Sequence, residues 1–262
     1  MSRSAPRVVL VNPNTTASMT EIALRAAQEV AAPGTVLVGR TSPTGPASIE
    51  SHVDESLCVP GLLQAVAEET DADAFVVACF GDPGVEAVRE LTGVPVVGIA
   101  EAAMKSATLL GRTFSVVTTL ERTIGRARDL VTRHGLTAQC AGLHACDIPV
   151  LELETDPDGT YDRLLKVSAE VLRHDDCDVL VLGCAGMADL PGRLAAELGV
   201  PVVDGVAAAT TMAEGLVRQG LVPRREGELA PPVPKAYTGV MGQVVPAAVR
   251  LSTPGDPPAS TP

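Results

Sequence analysis

The chain repeats itself, and that repeat constrains its fold more than any other feature. Asp73, Cys79 and the run Val94-Pro95-Val96-Val97 recur as Asp178, Cys184 and Val200-Pro201-Val202-Val203. The offset is 105 residues at the first two landmarks and 106 at the third, a single insertion. Carried back, it sets Val11-Asn12-Pro13 against Val117-Thr118-Thr119. Each copy alternates short apolar runs with helical periodicity, which implies two βαβ-type halves. The expected fold is α/β: two pseudo-symmetric, Rossmann-like parallel-sheet halves with an active site in the cleft between them. The first half should span 1–105, with a helix at 206–220 packing back on it, and the second 106–205. Residues 223–262 carry nine prolines and are expected to form a largely disordered tail, with 235–241 docked on the body.

Local signals fill in each half. Arg7 to Val11 is an apolar run of the kind a buried strand makes, ending at the turn-forming Asn12-Pro13-Asn14. Ser18 with Glu21, and Thr118 with Glu121, have capping-box spacing. Strands are expected at 35–38, at 75–79 and within 135–159. A helix over 53–70 should kink or split at Pro60-Gly61. Asp82 and Pro83 look like the N-cap and first residue of a helix running to Leu91.

Composition narrows the function classes. Apolar residues make up 46% of the chain, but aromatic residues only 2%, so Val, Ala and Leu must fill the core. A formal charge of −12 with scattered basic residues argues against a nucleic-acid partner. No apolar run reaches membrane-spanning length, and Met1 to Arg7 lacks an apolar signal core, so no membrane partner and a cytoplasmic location are expected. The Val- and Ala-rich make-up leaves room for an apolar helix interface, and a homo-oligomer is expected. The six cysteines have no zinc-type spacing, so free thiols are expected and no metal site is read. No phosphate loop or dinucleotide fingerprint is present, so no cofactor is indicated.

In parallel sheets ligands bind beyond the carboxyl ends of the strands. Four turns fall there: Asn12 to Thr16, Cys79 to Asp82, Thr118-Thr119 and Cys184 to Met187. A lone cysteine ending a strand is more often a small buried hydrophobe. A matched pair, each before a glycine turn, suits a reaction symmetric in its two faces. One thiolate removes a proton from a carbon stereocentre while the opposite thiol delivers one. With sulfurs about 3–3.5 Å from that carbon, they would lie roughly 6–7 Å apart, too far for a disulfide. Helix N-termini after each cysteine, with N–H groups of Phe80-Gly81 and Ala185-Gly186, would favour a thiolate and an enolate oxygen. Asn12 and Asn14 suit Asx-turns or ligand contacts, and Thr118 and Thr119 suit caps or ligand contacts. Cys58, Cys140, Cys146 and Cys177 have no repeat partner and read as core. Glu101 suits a dipole-favoured surface position or a catalytic one, and the four histidines receive no role. Residues 40–49 and Phe80 are expected to form the wall that sets specificity.

The segments Asn12-Pro13-Asn14-Thr15, Ala78-Cys79-Phe80-Gly81-Asp82-Pro83-Gly84, Gly98-Ile99-Ala100-Glu101-Ala102-Ala103 and Leu182-Gly183-Cys184-Ala185-Gly186-Met187 together resemble the hydantoin racemase family of the aspartate/glutamate racemase superfamily. The resemblance covers about Val8 to Gly220. It implies cofactor-independent racemisation at C5 of 5-substituted hydantoins, or of allantoin, with Cys79 and Cys184 as the acid/base pair. Amino-acid racemases of that superfamily carry Cys-Asn-Thr and Cys-Thr-His at these turns. The more apolar Cys79-Phe80-Gly81 and Cys184-Ala185-Gly186 suit a ring without a free carboxylate. Other readings of the same scaffold are an Asp/Glu-type racemase, a maleate isomerase or arylmalonate decarboxylase-like enzyme, and a non-catalytic small-molecule sensor.

Overall fold

A computed structural model describes residues 5–249. The first half runs β1 (Arg7–Asn12), α1 (Ala17–Val30), β2 (Val36–Thr41), α2 (His52–Ala67), β3 (Ala74–Val77), α3 (Val85–Leu91), β4 (Val96–Gly98) and α4 (Ile99–Ala107). The second runs β5 (Phe114–Thr118), α5 (Ile124–Arg133), β6 (Cys140–Ala145), α6 (Pro157–Asp175), β7 (Val179–Gly183), α7 (Pro191–Leu198), β8 (Val202–Val203) and α8 (Gly205–Gln219). Two four-stranded sheets result, ordered β2-β1-β3-β4 and β6-β5-β7-β8. Every pairing is parallel. The two orders correspond strand for strand, as the repeat requires.

The repeated aspartates explain one part of this symmetry. Asp73 accepts the Arg7 N–H at 2.8 Å and Asp178 accepts the Arg112 N–H at 2.7 Å. Each carboxylate therefore ties the start of its half's leading strand to the loop before the cysteine strand.

Side-chain alternation builds a layered core. Val8 and Leu10 of β1, with Val179 and Val181 of β7, join a shared cluster with α1, α4, α5 and α8. Val9 and Val11 point outward to α2 and α3, and Leu180 and Leu182 to α6 and α7. The last helix of each half crosses over: α4 touches β7, while α8 packs on β3 and β4. Gly205 permits this crossing, since a Cβ there would lie 2.6 Å from the Ile99 carbonyl.

Several local expectations give way to longer-range bonds. Thr16, not Ser18, is the N-cap of α1, because the Asn14 side chain already accepts the Thr16 N–H at 2.9 Å. Thr118 does not cap a helix either; its hydroxyl donates to Gly183 O at 3.0 Å across the β5–β7 pair. Helix α2 passes unbroken through Pro60 and ends at Ala67. Burial of Cys58, Gly61, Leu62, Ala65 and Val66 on one side holds it in place. Gly61 is pressed so closely on Thr44 that a Cβ would overlap it.

Of the Pro-rich tail over 223–262, residues 250–262 lie outside those described, as do 1–4 of the N-terminal segment. Within 223–249 the chain forms a 3-10 turn at Gly227–Leu229 against α3, a helical turn α9 (Met241–Val244) beside α2, and a bond from Lys235 N–H to Val249 O. Among the described residues no helix is long and apolar enough to cross a membrane.

Candidate active site

The carboxyl ends of β1, β3, β5 and β7 converge on one cavity between the sheets. All ten residues singled out from sequence line it: Asn12, Asn14, Cys79, Phe80, Gly81, Thr118, Thr119, Cys184, Ala185 and Gly186. Each cysteine turn is built alike. Asp82 N–H bonds Cys79 O at 2.9 Å, and Met187 N–H bonds Cys184 O at 3.1 Å. Gly81 and Gly186 each direct a backbone N–H to the sulfur two residues earlier. All six cysteines are free.

Both catalytic candidates are half-buried and desolvated. Burial pushes the Cys79 thiol far up and the Cys184 thiol up to about 12, against the opposing pull of the glycine N–H groups. A charge on Cys184 further disfavours one on Cys79, so an arrangement of one thiolate and one thiol is favoured over two thiolates. The expected helix-dipole assistance is not built. The helix after Cys79 begins only at Val85, capped by Gly84 at φ 68°, and the one after Cys184 only at Pro191 beyond a short 3-10 turn. The glycine N–H groups therefore serve the sulfurs.

Asp82 corrects a second expectation. It does not cap its own helix. Held at φ 45°, it accepts the N–H groups of Ala100 and Glu101 at 3.0 and 2.9 Å, and so caps α4 across the sheet end. Gly98, the N-cap residue of α4, has no side chain, and the Asp82 carboxylate fills that space. Burial raises its pKa to about 7, opposed by those two N–H groups and Arg89 and reinforced by Glu101. A carboxyl raised on folding makes the native state the stronger proton binder. Its stability contribution is present in full below the unfolded pKa of about 4 and is lost as pH rises through about 7. Urea midpoints should accordingly fall between pH 5 and 7.5, and Asp82→Asn should flatten that slope. Asp204, raised to about 6, retains its share with the same sign. An unchanged slope in Asp82→Asn would refute the assignment.

The Asx reading of the first turn holds. Asn12 Nδ2 donates to Asn14 Oδ1, Thr16 O and Thr20 Oγ1 at 2.8–3.1 Å, which commits that amide to structure. Asn14 Nδ2 has only the Met19 sulfur at 3.3 Å, and the buried Thr119 hydroxyl has no partner among the described residues. These two are donors left for a ligand.

Sequence reading missed the charged part of the wall. Glu50, His52, Glu55, Arg122 and Arg126 all line the cavity. Of the expected wall over 40–49 only Ile49 does; Arg40 instead pairs with Glu69, which sets its guanidinium elsewhere. Glu101 lies outside this cavity, paired with Arg89 and Lys105. Of the other histidines, His144 pairs with Asp175. Among the described residues no cluster of His, Cys, Asp or Glu could hold a metal ion.

Residues 8–213 match the family model described as Asp/Glu/Hydantoin racemase. A hydantoin racemase of Rhizobium meliloti is 43% identical over 88% of this chain and 96% of its own. The structure of an allantoin racemase from Klebsiella pneumoniae is 43% identical, with a TM-score of 0.89 over 92% of this chain and 100% of that one. Allantoin racemase from Pseudomonas fluorescens follows at 41% identity and a TM-score of 0.86, over 89% of this chain and 100% of its own.

Proposed function

This chain belongs to the Asp/Glu/Hydantoin racemase family, and from that premise we propose that it is a cofactor-independent racemase of 5-substituted hydantoins or allantoin. The carrying observation is the pair of equivalent cysteine turns, after β3 and β7, that open onto one cavity.

In this mechanism substrate binding displaces solvent and brings an acidic C5–H, flanked by an imide carbonyl, against one sulfur. That thiolate takes the proton as the opposite thiol returns one to the other face, and the roles exchange in the reverse direction. Because burial holds both resting thiols protonated, one sulfur first gives its proton to solvent before the ring enters. Each turnover, taking one proton from carbon and delivering one to it, then leaves one thiolate and one thiol. Negative charge that develops on the C4 oxygen falls to the donors left open, the Thr119 hydroxyl and the Asn14 amide. The Gly81 and Gly186 N–H groups stabilise the sulfurs instead. A neutral ring suits the cavity because its two arginines, Arg122 and Arg126, are matched in number by Glu50 and Glu55, with Arg126 Nε 2.6 Å from Glu55 Oε1.

Polarimetry of single-enantiomer allantoin and of an alkyl-substituted hydantoin tests the reading, with spontaneous racemisation subtracted. Rotation should decay to zero well above background for at least one of them. Decay with glutamate or aspartate alone would move the substrate class to amino acids, and no decay with any of these would overturn the assignment.

A further inference from the structure

Arg126 belongs to the second half, on α5, yet its polar contacts lie in the first. Nε and Nη2 donate to the Gly81 carbonyl at 3.0 and 2.9 Å, and Nε lies 2.6 Å from Glu55 Oε1 on α2. Gly81 is the residue whose N–H meets the Cys79 sulfur. Its carbonyl is therefore held from across the cavity, while Asp82 pins the other end of the same turn to α4.

The Cys184 turn has no such clamp. Helix α1, which packs on it, faces the cavity with Met19, and the Gly186 carbonyl has no side-chain donor among the described residues. The two thiols are thus held unequally within a nearly symmetric frame. A second bond spans the halves nearby, from Val150 N–H to Glu50 Oε1 at 2.8 Å, so the register of one half on the other also sets where Arg126 delivers its clamp.

We propose that Arg126 is a positioning residue for Cys79, fixing its turn from the opposite half, with Glu55 orienting the guanidinium and Cys184 independent of both. The kinetic part rests on the racemase reading above; the chemical part does not. A guanidinium with two donors on one carbonyl fixes direction as well as distance, which an ammonium does less well.

The test uses the full chain carrying Arg126→Met, Arg126→Lys or Glu55→Gln. Iodoacetamide alkylation of Cys79 and Cys184 is timed separately by peptide mass spectrometry, without substrate, beside kcat, KM and Tm. Displacing the turn by about an ångström should lower kcat in Arg126→Met by about 10–100-fold with KM little changed. Its Cys79 alkylation rate should shift by about threefold or more while that of Cys184 stays at the wild-type value. Arg126→Lys should recover part of both effects, and Glu55→Gln should show a smaller shift of the same sign. Equal changes at both cysteines, or none at Cys79, would overturn the proposal even if the chain racemises nothing. A raised KM at unchanged kcat would also overturn it, by making Arg126 a substrate contact.

Discussion

Cys79→Ser and Cys184→Ser should each lose about 10²–10⁴-fold in racemisation rate, which corresponds to about 3–5 kcal/mol of transition-state stabilisation. Serine keeps the shape and a hydroxyl, but its proton is far harder to remove than that of a thiol. Each variant should therefore fail whichever role its residue plays in a given direction. Both should keep the wild-type fold, since the turns are closed by backbone bonds, Asp82 N–H to Cys79 O and Met187 N–H to Cys184 O, that the substitution leaves alone. Cys58→Ser and Cys146→Ser, behind the site, supply controls: their rates should stay within a few-fold of wild type. If Cys79→Ser or Cys184→Ser kept wild-type kcat/KM, the two-base mechanism would fail. If both controls fell equally far, the loss would reflect packing rather than acid/base chemistry.

The second large effect concerns a glycine outside the cavity. Gly98 has ordinary N-cap torsions, φ −81° and ψ 143°, so alanine would bring no backbone strain. Its Cβ would instead overlap the Asp82 carboxylate. Gly98→Ala must expel that carboxylate, strip α4 of the acceptor for two N–H groups and release the left-handed residue that ends the Cys79 turn. Cap loss and overpacking together should cost about 3 kcal/mol, a fall in Tm of roughly 6–12 °C, with activity reduced as well. The second half solves the same problem differently. At the repeat position of Gly98 stands Asp204, which caps its own helix by accepting Ala207 N–H at 2.7 Å. Asp82→Gly combined with Gly98→Asp transplants that solution, and should be more stable than Gly98→Ala by more than half the loss. Differential scanning calorimetry of the three proteins decides it. A Gly98→Ala variant as stable as wild type would contradict the cross-cap, as would a double variant no better than Gly98→Ala.

What was legible in the chain was whatever the repeat or a local period encodes. The offset from Cys79 to Cys184 implied two sheets of matching strand order, and the turns at their carboxyl ends include every cavity residue singled out beforehand. What escaped were bonds between distant segments. Ser18 with Glu21 and Thr118 with Glu121 had the right spacing for capping boxes, but Asn14 had already claimed the start of α1, and Thr118 was drawn to Gly183. Asp82 sat before a proline and invited reading as a local cap, while its real partners are eighteen and nineteen residues on. Arg126 has no repeat counterpart and acts across the halves, so nothing near it in sequence marks it. Two mismatches across the repeat, Gly98 against Asp204 and Asp82 against Met187, were the visible signs that the two copies cap their helices differently.

The two-cysteine mechanism is tested most directly by racemising a single enantiomer in heavy water and stopping at low conversion. Mass spectrometry of the separated enantiomers, corrected for spontaneous exchange, gives the deuterium at C5 in each. If opposed thiols act on opposite faces, the product enantiomer carries solvent deuterium at C5 while the recovered starting enantiomer remains protiated. Deuterium accumulating equally in both enantiomers from the outset would show a single base serving both faces, and would contradict the pairing of Cys79 with Cys184.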